Sequence, residues 1–309
     1  MTKYFAPVFI PTLCRFEHLK RCLLSLEKNS LAKETIVYIA LDYPLKNEHW
    51  VGYEKIKEFL NQKFAFKELI IIKREKNFGA LINHEVAMEE LYKQYDAIIT
   101  SEDDNEFSPN FLEYMNACLE KYESDRSVIA IGGYSFPIKW ITKDNNIVRH
   151  CPFCTAWGMG VWKNRNEWMN VNSVQLFERI KHIKEAFKLF VRSPRIFVFS
   201  LQIIWKRETL KYDIGWSCYM LLFEKYMIYP VISKTRNWGW DGSGINCKKN
   251  DRISKHELDK VTHFEIKGND SVFMKENEIL MNDLFKVSKA SVLKTIIKYL
   301  LIKLKFRKL

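Results

Sequence analysis

Three consecutive carboxylates, Glu102-Asp103-Asp104, close an apolar run. Side by side they repel one another, so either a cation sits among them or they form a solvated acidic turn before the next helix. Hard oxygen ligands suit Mg²⁺ or Mn²⁺, and so few protein carboxylates leave coordination positions for a diphosphate. Arg15 and Arg74 offer the bidentate fork that phosphate accepts, or are ordinary surface charge. Asn77-Phe78-Gly79 opens a helix, where backbone N–H groups face an anion or simply make a turn. Asp213 stands in Lys211-Tyr212-Asp213-Ile214-Gly215-Trp216, among aromatics. Such surroundings raise a pKa and suit a general base that takes a hydroxyl proton, whereas as a helix N-cap it would do no chemistry. Trp157-Gly158-Met159-Gly160-Val161-Trp162 reads as an aromatic platform for a sugar face or as core packing. Cys151-Pro152-Phe153-Cys154 has one metal-like spacing with no second pair, so zinc and redox roles are not expected. The seven histidines show no paired spacing and read as surface or satisfied core residues.

The elements that must position these groups alternate over the first 135 residues. Near-continuous apolar runs at 6–10, 35–41, 69–72, 97–100 and 128–131 carry the mark of strands buried on both faces of a mainly parallel sheet. Amphipathic helices are predicted at 16–29, 50–62, 79–94 and 109–122, the last with Ser108 as N-cap and Pro109 at its first position. The alternation describes an open α/β sheet with helices on its faces, and such sheets bind ligands beyond the carboxyl ends of their strands. The distinctive residues follow the strands: Thr12 and Arg15 after the first, Asp42 after the second, Arg74 and Asn77 to Gly79 after the third, and the three acids after the fourth.

Beyond residue 135 the pattern turns irregular and aromatic, with every tryptophan except Trp50, and reads as a second layer packed on the sheet. Residues 172–211 read as helical and basic. From Ser288 to Leu309 there is no acidic residue, and lysines alternate with Val292, Leu293, Ile296, Ile297, Leu300, Leu301 and Leu304. That spacing predicts a basic amphipathic helix that either rests on an anionic membrane surface or packs on protein. The domain reading is one unit over 1–287, divided into 1–135 and 136–287, followed by the helix at 288–309.

Over 309 residues, 47% apolar and 28% charged composition describes a folded protein with an ample core, not a disordered or disulfide-stapled one. The net charge of +12 favours anionic partners. Seven cysteines, mostly in apolar runs, read as reduced packing residues of a cytosolic chain. The opening residues lack a secretory pattern, and no apolar run approaches the roughly 20 residues that span a bilayer. A secreted or membrane-spanning protein is not expected.

Taken in order, Pro11-Thr12-x-x-Arg15, Asp42, Asn77-x-Gly79 and Glu102-Asp103-Asp104 resemble the GT-A nucleotide-sugar glycosyltransferases, a Rossmann-like α/β fold. The acidic run with its following Phe107-Ser108-Pro109-Asn110-Phe111 is similar to the Glu-Asp-Asp segment of the N-acetylglucosaminyltransferase I group. Tyr212 to Trp216 and Pro230-Val231-Ile232-Ser233-Lys234-Thr235-Arg236 resemble later segments of that group, and the likeness covers about residues 6 to 245. It implies an inverting enzyme with an irregular acceptor-side half. Arg15 and Asp42 would hold the nucleoside end of a UDP-sugar, with Thr12, Arg74, Asn77 and Gly79 on the donor side. Glu102 and Asp103 would lie near the ribose and sugar, and Asp104 would ligate Mn²⁺ or Mg²⁺ on the diphosphate. Asp213 would be the base, and Trp157 and Gly158 would border the acceptor. With the basic C-terminal helix, this reading expects a lipid-linked glycan acceptor, bacterial surface polysaccharide synthesis, and a cytoplasmic protein on the inner membrane face.

A nucleotidyltransferase shares the sheet and acidic site, but the Gly-rich basic loop it needs after the first strand is missing from Pro11 to Arg15. A non-catalytic nucleic-acid or sugar-binding protein would explain the charge and the aromatics. It leaves the acidic run among basic loops unexplained, and no nucleic-acid partner is expected.

Overall fold

The computed structural model describes residues 5–150, 152–165, 172–206, 212–242 and 257–306. Cys151 and Cys247 lie outside them. Strands and helices alternate through β1 (Val8–Thr12), α1 (Phe16–Glu27), β2 (Ile36–Leu41), α2 (His49–Leu60), β3 (Glu68–Lys73), α3 (Gly79–Leu91) and β4 (Ala97–Thr100). A short β5 (Asn105–Phe107), α4 (Phe111–Lys121) and β6 (Val128–Gly132) follow. The five expected strands and four expected helices are all present, with ends shifted by a few residues.

Two local expectations are corrected. Helix α4 starts at Phe111, with Asn110 at the cap position and no side-chain cap bond. The Ser108 hydroxyl instead donates to Asn110 Oδ1 at 2.9 Å, and its carbonyl accepts the Phe111 N–H. Strand β3 is an edge strand, so its outward residues, among them Glu68 and Ile71, meet solvent rather than a second layer.

The later half is not simply a layer on the sheet. It continues through β7 (Ile147–His150), β8 (Met159–Trp162), α5 (Ser173–Ile180), α6 (Ile183–Arg192), α7 (Pro194–Lys206), α8 (Tyr212–Phe223), β9 (Tyr226–Pro230), β10 (Thr235–Asn237), α9 (Met274–Leu284) and α10 (Lys289–Phe306). Three of these strands join one eight-stranded sheet ordered β3-β2-β1-β4-β8-β6-β9-β7. The β3-β2-β1-β4 half is wholly parallel, β8 runs antiparallel between β4 and β6, and β7 is antiparallel to β9. Met159-Gly160-Val161-Trp162 is too short and glycine-broken to show strand periodicity. Its Gly160 lies against Leu119 of α4, where an added Cβ would sit 3.2 Å from that side chain. Strands β5 and β10 form a separate antiparallel pair.

Alternate residues of the central strands feed two cores. Val8 and Ile10 face Leu19, Leu23, Ile56 and Met115 of α1, α2 and α4, and Phe9 faces the core shared with Met88, Leu91, Ile204 and Met220 of α3, α7 and α8. The result is a three-layer α/β sandwich with the parallel half at its centre. Each fully buried Leu, Ile or Phe contributes about 1.5–3 kcal/mol, so strand ends in this half are rigidly held. Around α7, helices α5, α6 and α10 pack as a small helical layer.

Candidate active site

The carboxyl ends of β1 and β4 are neighbours in the sheet, which brings the first and fourth loops together. Arg15 turns back from the start of α1 to ion-pair with Asp103, and its Nη1 lies 2.8 Å from Asp104 Oδ2. The Thr12 hydroxyl donates to the second oxygen of Asp103 at 2.8 Å. Asn237 Nδ2 donates to the remaining oxygen of Asp104 at 2.6 Å. Both aspartates are buried, at 5% and 6% exposure. Burial pushes the Asp103 pKa up against the pull of Arg15, while for Arg15 burial is outweighed by Asp103 and Asp104 and its pKa rises. No hydrogen bond or ion pair to the Glu102 carboxyl is formed among the described residues, and the pull of Arg15 is outweighed. Burial, then Asp104 and Asp103, push it up to about 8, so near neutral pH it holds its proton.

The segment after β10 roofs this cluster. The Trp238 N–H donates to the Asp104 carbonyl at 2.8 Å, and Gly239 lies so close that a Cβ there would meet Asp104 Oδ2 at 2.2 Å. The Trp238 ring sits between the guanidinium groups of Arg21 and Arg236, at 4.5 and 4.0 Å, and its indole N–H donates to Glu106 at 2.8 Å. Asp241 reaches His18 of α1 at 3.1 Å. Asn237 and Gly239 were not singled out in the sequence. Their signal is the Asn237-Trp238-Gly239-Trp240-Asp241-Gly242 run directly after the segment ending at Arg236.

Asp42, Asn77 and Gly79 make a second, closed network at the ends of β2 and β3. One Asp42 oxygen accepts the Tyr43 and Phe78 N–H groups at 2.9 and 2.8 Å, and the other accepts the Gly79 N–H and Asn77 Nδ2 at 2.9 and 3.2 Å. Asn77 also donates to the Tyr43 carbonyl at 2.6 Å. A carboxylate at the start of α3 is electrostatically favourable, and here it staples the β2 loop to that helix. Arg74 lies along α3, donating to Asn83 at 2.9 Å and stacking 5.0 Å from the Phe78 ring. Its buried Nη2 has no partner among the described residues. The backbone ties this group to the Arg15 cluster: the Asp42 N–H donates to the Thr12 carbonyl at 2.9 Å.

Asp213 stands in the first turn of α8, past the cap position, and accepts the Ile214 N–H at 2.8 Å. It keeps solvent contact, yet partial desolvation raises its pKa, and its charge contributes to raising that of Glu102. Trp157 stands edge-on to Tyr134 and Trp240, at 4.7 and 6.3 Å. Gly158 has φ +70° and no room for a Cβ, which would lie 2.8 Å from Thr235 Oγ1. Trp162 is core, with Arg165 over its ring at 3.5 Å. Trp157 thus packs with the buried Tyr134 and with Trp240, apart from Trp162.

The four carboxylate oxygens of Asp103 and Asp104 are engaged by Arg15, Thr12 and Asn237. Among the described residues no group of three or more His, Cys, Asp or Glu side chains is arranged to hold a metal ion. The aspartate pair is built around a guanidinium, and a Mn²⁺ or Mg²⁺ ion held between the two carboxylates would take its place.

No protein-family model matches the chain, and no curated protein matches it. Solved structures do. A mannosyltransferase from Pyrobaculum calidifontis, in complex with GDP-Man and Mn²⁺, is 12% identical over 53% of this chain and 45% of its own, with a TM-score of 0.36. TarS 1–349 from S. aureus is 13% identical over 75% of this chain and 59% of its own, with a TM-score of 0.39. The same protein in complex with UDP is 14% identical over 71% and 70%, with a TM-score of 0.37. The chain thus spans less than half of the mannosyltransferase and under two thirds of TarS 1–349 in the first comparison. These likenesses are of overall layout and give no residue a role.

Proposed function

We propose that this protein is an inverting glycosyltransferase of GT-A type that moves a sugar from a UDP-sugar to a glycan hydroxyl. The observation that carries the reading is the meeting of Thr12, Arg15, Glu102, Asp103 and Asp104 at the carboxyl ends of β1 and β4, with Asp213 near enough for its charge to raise the Glu102 pKa. In the reaction the acceptor oxygen attacks the anomeric carbon while the bond from that carbon to the diphosphate breaks. UDP leaves with the bonding electrons, and the acceptor proton passes to the Asp213 carboxylate. A base on the side opposite the leaving group makes this one in-line displacement, hence inversion. The raised pKa of Asp213 suits it to hold that proton.

Arg15 supplies positive charge where the diphosphate departs, and burial strengthens that effect. Neutral Glu102 can donate a hydrogen bond to a sugar or ribose hydroxyl without adding repulsion. A divalent metal, if bound, would supply the same charge stabilisation. In this structure Arg15 occupies the position between Asp103 and Asp104 that such an ion would take. Trp157 borders the acceptor side. With the basic C-terminal helix, the reading extends to a lipid-linked glycan on the inner face of a cell membrane and to bacterial surface polysaccharide synthesis.

The test is UDP release from a panel of UDP-sugars, with Mn²⁺ and with chelator, across glycan acceptors. One donor is expected to give acceptor-dependent release. Asp213→Asn is expected to lose about 10²- to 10⁴-fold in transfer while still binding UDP. Release from no donor with any acceptor, or an Asp213→Asn variant as active as the wild type, would overturn the reading.

A further inference from the structure

We infer that α6 and α10 together form a docking surface for an anionic lipid bilayer. The sequence leaves two fates for α10, resting on a membrane or packing on protein, and the structure gives the helix both a packed and an open side. Thr295, Tyr299 and Ile302 are buried, at 5%, 7% and 0% exposure, and α10 packs on α7. The Tyr299 hydroxyl donates to the Ile180 carbonyl at 2.7 Å. This side fixes how the helix is rolled.

The other side is apolar and uncovered. Leu293, Ile296, Ile297, Leu300, Leu301 and Leu304 are exposed by 60%, 51%, 50%, 51%, 45% and 59%. Their spacing of three and four residues makes one continuous stripe. Isolated apolar side chains on a surface are ordinary, but a whole helical stripe rimmed by charge is an interaction face. Helix α6 repeats the arrangement. Ala186 and Leu189 are buried, while Ile183, Phe187 and Val191, four residues apart, are exposed by 64%, 67% and 58%. Both helices pack on α7, and Tyr299 bonds at the corner where α5 ends and α6 begins, so the two stripes leave one helical layer.

Charge selects the occupant. Lys289, Lys294, Lys298 and Lys303 flank the α10 stripe, with no acidic residue from 288 to the end of the chain. On α6 Lys184 lies beside Ile183; Lys188, beside Phe187, is ion-paired at the surface with Glu224, and Glu185 is the one acid of the helix, so α10 carries most of the positive charge. A second copy of this chain would bring lysine against lysine, whereas anionic headgroups complement these cations and the acyl boundary takes the Leu, Ile and Phe side chains. The surface extends the membrane-side part of the proposed function yet uses none of the site residues. Binding and transfer can therefore fail separately.

The experiment is sedimentation of the full chain with phosphatidylcholine vesicles, with and without phosphatidylglycerol. Variants are Leu300→Glu with Leu304→Glu, and Phe187→Glu, with light scattering for oligomeric state and UDP release measured in parallel. Wild type is expected to bind the anionic vesicles, less so at high salt. Each variant should lose about tenfold or more in partitioning, with its melting transition and UDP release in vesicle-free solution unchanged. Equal binding to neutral vesicles, binding untouched by the glutamates, or no binding at all overturns the inference. A wild-type dimer that the glutamates make monomeric also overturns it and assigns the face to a second copy.

Discussion

Glu102 and Arg15 lie side by side in one cluster with opposite fates, and both fates can be measured. The ordinary Glu102 value of 4.5 is raised to about 8, so the folded protein binds that proton more tightly than the unfolded chain does. Its contribution to stability is present below 4.5 and is lost as pH rises through about 8. Glu102→Gln should therefore flatten the fall in melting temperature across that window, and parallel slopes in the two proteins would refute the assignment. Arg15→Ala strips Asp103 and Asp104 of their counter-charge, which costs about 3 kcal/mol for a buried pair broken on one side. The emptied position then suits a divalent ion. Mn²⁺ should raise the melting temperature of Arg15→Ala and leave the wild type unmoved; equal stabilisation of both would show that the ion fits beside the guanidinium.

At the scale of elements, the site depends on how closely α2 approaches the loop between β1 and α1. A Cβ on Gly52 would lie 1.9 Å from the Cys14 carbonyl oxygen, which is backbone and cannot rotate away. Gly52→Ala should thus cost about 1–3 kcal/mol in urea unfolding and weaken UDP binding by moving Arg15. Gly79 is a contrast: nothing lies within 4 Å of an added Cβ, but its φ is +74°. Gly79→Ala meets strain without a clash and should cost only about 1 kcal/mol, with UDP binding retained. A Gly52→Ala protein as stable as the wild type would mean that α2 is free to slide. Five strands and four helices of the first 135 residues were legible because each is one apolar run or one amphipathic stripe, whereas β5, three residues paired with the distant β10, was not. Strand β8 was not, because tryptophan and glycine in four residues carry no period, and its place between β4 and β6 is a long-range pairing.

For the molecule as a whole, α10 is part of the fold as well as an outward face. Removing residues 289–309 would uncover the apolar side of α7 now covered by Tyr299 and Ile302, so the shortened chain should lose several kcal/mol and aggregate on heating. An unchanged transition would show that α10 contributes nothing to the core. No helix among the described residues is long and apolar enough to cross a membrane. Several features needed only local chemistry: the α/β alternation, the carboxylate run after the fourth strand, the basic character of the C-terminal helix. These live in spacing and residue type, which the chain carries wherever it folds. The pairing of Arg15 with Asp103 and Asp104, the closure of Asp42 on Gly79, the roof from Asn237 to Asp241 and the roll of α10 join residues far apart in the sequence, from 37 positions for Asp42 and Gly79 to 223 for His18 and Asp241. Which donor reaches a buried carboxylate first, and which side of a helix finds a partner, is decided by the distances that packing sets, and only the tertiary structure contains those distances.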